Sequence, residues 1–228
     1  MANVIITGAN RGIGLALVQR YFAAGDTVLA LCRNVGKAEK LKALAAGADG
    51  RVTIGTIDIG EPTSIEAAAK GYGRPLDVLI NNAGILGGDH QSLDDMDFDE
   101  WMNTFKVMTL GPFRVTRAFL PQLTQANGKV LFVTSQVSTS TWPYGGYYGY
   151  SSAKAAGNRV AQILAIDLRG RGISVASVHP GYVKTDMGGP DAEITPAESA
   201  AGIYQVMEKL NLESSGGLFK WNGEKHPL

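Results

Sequence analysis

Two periods of apolar and polar residues alternate along the chain. Short, mostly β-branched apolar runs recur at "NVIIT" (3–7), "TVLALC" (27–32), "RVTIGTID" (51–58), "LDVLINNAG" (76–84), "GKVLFVTS" (128–135) and "GISVASVHPG" (172–181). Between them lie longer stretches whose apolar positions repeat at helical spacing: 12–25, 35–47, 61–71, 97–125, 147–169 and 195–210. A last edge strand is expected at 216–223. Gly25 stops the first helix, Pro62 stands near the start of the third, and Thr195-Pro196 opens the last in capping style. Gly111-Pro112 interrupts the stretch 97–125, where proline removes a donor and predicts a kink. Strands alternating with helices imply right-handed βαβ units. The expected fold class is α/β, a single-domain doubly wound parallel sheet with helices on both faces.

Composition narrows the class without naming a function. The chain has 228 residues, 45% hydrophobic and 18% charged, enough to bury a sizeable core as one domain. Its formal net charge is zero, so its overall field gives no reason to expect nucleic acid or an anionic membrane as partner. The single cysteine, Cys32, lies in an apolar run and reads as a buried, inert thiol. His90, His179 and His226 show no metal-ligand spacing, so no metal site is expected. No targeting segment precedes the first strand and no run of about 18 apolar residues occurs, so a cytoplasmic protein is the expectation.

The first strand runs into "TGANRGIG" and then into a helix. Gly8, Gly12 and Gly14, with Asn10, Arg11 and Ile13 between them, form a turn whose backbone can approach a pyrophosphate at a helix N-terminus. Glycines also mark ordinary βα turns, but the strand-turn-helix context favours a dinucleotide. The second strand decides which one. An acidic residue about 20 positions past the loop would accept from a ribose hydroxyl. Here the sequence reads "LCRNVGKAEK", with Arg33 in that place. Arg33 and Arg11 suit a 2′-phosphate and favour NADP(H) over NAD(H), unless both are solvated surface charges.

The stretch "YGGYYGYSSAKAAG" (144–157) crowds four tyrosines before one lysine. Only Tyr150 stands four residues before Lys154, so phenol and ammonium share a helix face. A nearby positive charge would lower the phenol's pKa and make it a usable general acid/base. Tyr144, Tyr147 and Tyr148 read as pocket wall or helix packing, with Gly145, Gly146 and Gly149 letting the loop bend.

"TGANRGIG", "NNAG" (81–84), a serine before "YSSAK", and "HPGYVKTDM" (179–187) occur in the order and spacing of the short-chain dehydrogenase/reductases. The chain resembles that family over nearly its whole length, and its details are most similar to the C-factor-like branch. The resemblance implies a Rossmann fold with the substrate pocket built from loops after strands 4, 5 and 6. It implies that Tyr150 is the catalytic tyrosine and that Lys154 lowers its pKa and holds the nicotinamide ribose. Ser135 would bond the substrate carbonyl, with Ser138 as the alternative because 15 residues separate Ser135 from Tyr150. Asn82, Ala83 and Gly84 match the turn facing the cofactor, and Asp58 and Ile59 the pair beside the adenine. Pro180, Gly181, Val183 and Thr185 match the segment under the nicotinamide carboxamide. The implied activity is NADP(H)-dependent interconversion of a carbonyl and an alcohol, by a homodimer or homotetramer paired through 97–125 and 147–169.

One position departs from the family. Its pattern V-N-x-x-G reads "VMTLG" here, so Met108 replaces an asparagine that holds a water for the lysine's proton path. A thioether donates nothing and accepts weakly. Asn103, five residues earlier and roughly 140° around an ideal helix, is not placed to substitute. Two readings follow: an enzyme whose relay runs by another route, or an NADP(H)-binding regulatory or scaffold protein of little activity. A sugar-nucleotide epimerase is a third reading, set back by the short stretch after residue 190. Apolar and aromatic candidates for the pocket wall are Ile85, Leu86, Gly87, Trp142, Tyr144, Tyr147, Tyr182, Met187 and Gly188.

Overall fold

A computed structural model describes residues 1–228. Seven parallel strands form one sheet in the order β3-β2-β1-β4-β5-β6-β7. They are β1 (Asn3–Thr7), β2 (Thr27–Cys32), β3 (Val52–Thr56), β4 (Val78–Asn81), β5 (Lys129–Val133), β6 (Ser174–His179) and β7 (Leu218–Lys220). The helices are α1 (Gly12–Ala23), α2 (Glu39–Ala46), α3 (Pro62–Lys70), α4 (Phe98–Phe105), α5 (Gly111–Ala118), α6 (Leu120–Ala126), α7 (Tyr148–Asp167) and α8 (Pro196–Lys209). The expected seven strands and doubly wound class are present. The order reverses between β1 and β4, which opens a crevice at their carboxyl ends.

Alternation along each strand divides the core in two. Val4, Ile6, Leu131, Val133, Ala176 and Val178 face one layer, where α1 and α8 supply Leu17, Val18, Tyr21, Ile203 and Met207. Ile5, Leu79, Val130, Phe132 and Val175 face the other, against Val115, Phe119, Leu123, Leu164 and Leu168. Neighbouring residues of one strand thus serve opposite layers, as a pleat of period two requires. Because both faces are covered, the strands read as almost unbroken apolar runs.

Several boundaries differ from the sequence expectation. β6 stops before Pro180, which has no N–H for a ladder. The expected helix 35–47 begins with a 3₁₀ turn at Val35–Lys37, where the Asn34 side chain accepts from the Lys37 amide at 3.2 Å. The stretch 97–125 breaks twice. A π-helical turn occupies Lys106–Leu110, closed by the Gly111 amide on the Lys106 carbonyl. The break therefore begins before Pro112 and is a π-bulge as much as a proline effect. A second break falls at Phe119, ahead of Pro121 in the first turn of α6. At α8 the capping box is complete: the Glu198 amide donates to the Thr195 hydroxyl at 3.2 Å, and the Thr195 amide to the Glu198 carboxylate at 2.8 Å.

Candidate active site

The glycine turn is locked to the end of β4 by two side chains, Asn82 and Thr7. Asn82 donates from Nδ2 to the carbonyls of Thr7 (2.9 Å) and Gly8 (3.3 Å). The amides of Asn82 and Ala83 both donate to the Thr7 hydroxyl at 3.1 Å. The fit leaves no room for side chains. A Cβ on Gly14 would lie 2.2 Å from the Gly8 carbonyl oxygen, and one on Gly8, at φ +66°, would lie 2.8 Å from the Ala83 Cα. "TGANRGIG" and "NNAG" thus form one rigid cradle at the N-terminus of α1.

The segment after β6 closes the cradle from the side. Thr185 stands over Gly12, where a Cβ would meet its methyl at 3.1 Å. Its hydroxyl accepts from the Gly188 amide at 3.1 Å. Val183 is buried and bridges to Ile194. The Pro180 carbonyl accepts from the Ser199 hydroxyl at 2.6 Å, which ties the segment to α8. Arg11 is exposed and ion-paired to Asp186 across this opening, a partner 175 positions away that no local pattern marks. Arg33 is exposed at the end of β2 and belongs to none of the five ion pairs. Asp58 accepts from the Gly60 amide at 2.9 Å. The Ile59 side chain, expected beside an adenine, is only 4% exposed and sits in the core. Any nucleotide contact there falls to its backbone.

Ser135, Tyr150 and Lys154 come together where β5 ends and α7 begins. Ser135 lies just past β5; its hydroxyl accepts from the Val137 amide at 3.4 Å and stands near enough to the Tyr150 phenol to lower its pKa. Ser138 is engaged elsewhere: its hydroxyl donates to the Ser135 carbonyl and accepts from Asn158 Nδ2 at 2.9 Å. Lys154 Nζ lies 5.9 Å from the Tyr150 ring centroid and donates to the Val133 carbonyl at 2.7 Å. Gly84 covers this ammonium, since a Cβ there would meet Met108 Sδ at 3.4 Å and Lys154 Nζ at 3.6 Å. Met108 is buried in the π-turn, whereas Asn103 is exposed on α4.

The electrostatics correct one expectation. Burial raises the Tyr150 phenol above its ordinary pKa, and only the nearby Ser135 hydroxyl opposes this. Burial also pushes Lys154 down from 10.5 to about 8, with no carboxylate to hold its charge. Desolvation outweighs whatever attraction acts across the gap between the two groups. The phenol is therefore protonated at neutral pH, the state of a proton donor.

The tyrosine-rich loop also differs in detail. Tyr147, a non-glycine residue, takes the left-handed conformation (φ 52°) that begins α7, beside Gly146 at φ 87°. Gly149 is helical, not a hinge: a Cβ there would lie 3.3 Å from Gln91 Oε1 and 3.6 Å from the Trp101 Cα. Gln91, a buried residue in the loop after β4, was not singled out by the sequence. A cavity of about 440 Å³ lies against this loop, lined among others by Ser138, Ser140, Tyr144, Tyr148, Ser151 and Ser152. It is rich in hydroxyls and takes only Tyr144 from the expected apolar wall. Tyr148 and Ser152 project from a different face of α7 than Tyr150 and Lys154.

A Rossmann sheet carrying this cradle and this serine-tyrosine-lysine cluster defines a class of nicotinamide-linked oxidoreductases, and residues 2–194 match the short chain dehydrogenase family model. The chain belongs to the short-chain dehydrogenase/reductase family. It is 43% identical to the C-signal protein of Myxococcus xanthus over 155 residues, covering 67% of this chain and 93% of that one. It is 34% identical over 224 residues to 1-hydroxy-2-glutathionyl-2-methyl-3-butene dehydrogenase of a Rhodococcus species, covering 95% of both. Among solved structures it is similar to the NADPH-bound carbonyl reductase from chicken fatty liver. That match has a TM-score of 0.93 and 31% identity, and covers 100% of this chain and 99% of the other. The carbonyl reductase Sniffer of D. melanogaster superposes with a TM-score of 0.95 at 28% identity, with both chains fully covered.

Proposed function

We propose that this oxidoreductase uses NADP(H) to interconvert a carbonyl and an alcohol, with Tyr150 as general acid/base. The observation that carries the reading is the convergence of the Ser135 hydroxyl, the Tyr150 phenol and the Lys154 ammonium beside a glycine cradle too tight for a Cβ at Gly8 or Gly14. The cradle fits a dinucleotide, with Gly8, Asn10, Gly12, Ile13 and Gly14 around the pyrophosphate and Arg33 and Arg11 toward the 2′-phosphate. Asp58, the Ile59 backbone, Asn82, Ala83, Gly84, Pro180, Gly181, Val183 and Thr185 complete the contacts. Bound NADP(H) would supply or take up the hydride at the carbonyl carbon. In reduction, Ser135 holds the carbonyl oxygen, and the Tyr150 Oη–H bond breaks as the new O–H bond forms. Lys154 then faces the phenolate, and its charge favours that state. NADPH-bound and NADP-bound structural relatives support the choice of cofactor.

One domain would carry both binding and chemistry in a cytoplasmic protein, with a small carbonyl or alcohol substrate and no nucleic-acid partner. Phe98 and Met102 on α4 and Ile166 on α7 are each 70% exposed, which supports pairing of copies into a homodimer or homotetramer through these helices. The test is a panel of carbonyl compounds with NADPH and with NADH, followed by loss of the reduced nicotinamide's absorbance. Tyr150→Phe should keep NADPH binding and lose turnover by about 10²- to 10⁴-fold. Wild-type turnover in that variant would remove Tyr150 from the role.

Met108 supports a second reading, a regulatory or scaffold protein that binds NADP(H) with little turnover. Its thioether stands beside Gly84 and Lys154 where the family has an amide. Tight NADPH binding without turnover on any carbonyl, together with a gain of turnover in Met108→Asn, would favour that reading.

A further inference from the structure

The first turn of α7 has no cap of its own. Tyr147 precedes it in a left-handed conformation and makes no side-chain cap. The orphan amide of Tyr150 is satisfied from 59 residues away, by Gln91 Oε1 at 3.0 Å. The other end of the same side chain is equally committed, because Nε2 donates to the carbonyls of Leu86 and Gly88, both at 2.9 Å. One buried amide, 8% exposed, thus spends both donors on the loop after β4 and its acceptor on the backbone of Tyr150. The Gln91 carbonyl also faces the Tyr148 amide at 3.5 Å.

The surroundings leave this amide little freedom. A Cβ on Gly149 would lie 3.3 Å from Oε1, and one on Gly87, at φ +90°, would lie 3.1 Å from Nε2. Trp101 closes the outer side, donating to the Ser152 hydroxyl at 3.0 Å with its ring 6.2 Å from that of Tyr148. Glycines at 87 and 149 make room for a side chain clamped between the loop after β4 and the first turn of α7.

We propose that Gln91 is a positioning residue, fixing the Tyr150 backbone and the loop 85–91 in one register so that phenol and pocket wall move together. The proposal rests on the reading of Tyr150 as the acid/base. An acceptor on the Tyr150 amide sets where the phenol stands, and the two donors set where Leu86 and Gly88 stand. Hence the two ends of Gln91 act on different kinetic constants.

Two variants separate the ends. Gln91→Met removes both, and Gln91→Glu keeps an acceptor at the helix N-terminus while losing the donors. Hydrogen exchange read at residue resolution tests the geometry without any substrate. The Tyr150 amide should exchange about ten-fold faster or more in Gln91→Met and near the wild-type rate in Gln91→Glu. Kinetics with NADPH and a carbonyl compound from the panel test the consequence. Gln91→Met should lower kcat about ten-fold with KM for NADPH unchanged. Gln91→Glu should recover kcat while KM for the carbonyl compound stays raised. Unchanged exchange at Tyr150 in Gln91→Met, a loss of Tm with kcat intact, or no recovery in Gln91→Glu would each overturn the proposal. Absence of turnover in the wild type would sink the carbonyl-reductase reading alone, and exchange would still decide whether Gln91 holds Tyr150.

Discussion

Replacing Lys154 with methionine should stabilise the protein while abolishing its chemistry. Lys154 is 7% exposed and its ammonium has one protein partner, the Val133 carbonyl at 2.7 Å. Burial lowers its pKa from 10.5 to about 8. The unfolded chain keeps this proton to higher pH than the folded one, so between those values the unfolded state binds more protons and stability rises with pH. Below about pH 8 the penalty is complete, and it amounts to about 3 kcal/mol. Methionine fills a similar volume without charge and forfeits one hydrogen bond of about 1 kcal/mol, leaving a net gain of about 2 kcal/mol at neutral pH. Urea unfolding of both proteins near pH 7 and near pH 10 checks this. The wild type should gain stability between the two relative to Lys154→Met, and the difference between them should shrink. A variant less stable than the wild type at neutral pH, or a gap that does not change with pH, would refute the argument.

Three further outcomes are expected. Ser135→Ala should lower kcat about 10²-fold, whereas Ser138→Ala should mainly lower the urea midpoint, because Asn158 loses its acceptor; the reverse pattern in kinetics would exchange their roles. Gly14→Ala, which sets a Cβ 2.2 Å from the Gly8 carbonyl oxygen, should cost about 2 kcal/mol or more and weaken NADPH binding, with calorimetry and binding titration as checks. Arg33→Ala should reduce the preference for NADPH over NADH about ten-fold, read as the ratio of kcat/KM values; an unchanged ratio would free Arg33 of the phosphate role.

The strands were legible because each needs only an apolar run between turn residues, and parallel strands buried on both faces supply such runs. The cradle was legible because Gly8 and Gly14 meet backbone directly, so composition and geometry coincide. The break at Lys106–Leu110 was placed too late, since proline is visible in a sequence and a π-turn is not. Gln91 escaped because nothing local marks it: its partners lie on another loop and on a helix far along the chain. The tyrosine's acidity was misjudged for a related reason. Helical spacing places a lysine beside a phenol, but only the fold shows that both are desolvated.

All seven strands point the same way, so the cradle, the serine, the tyrosine and the lysine gather along one rim of the sheet. The opposite rim carries only the turns that return the chain to each strand. On that side an added Cβ at Gly73 would meet nothing within 4 Å, whereas Gly25 and Gly50, equally open, stand at φ +93° and +76° and must stay glycine. That rim is where a fluorophore, an affinity handle or a whole inserted domain can be attached with the reacting end left untouched, and where immobilisation on a surface would leave the crevice facing the solution.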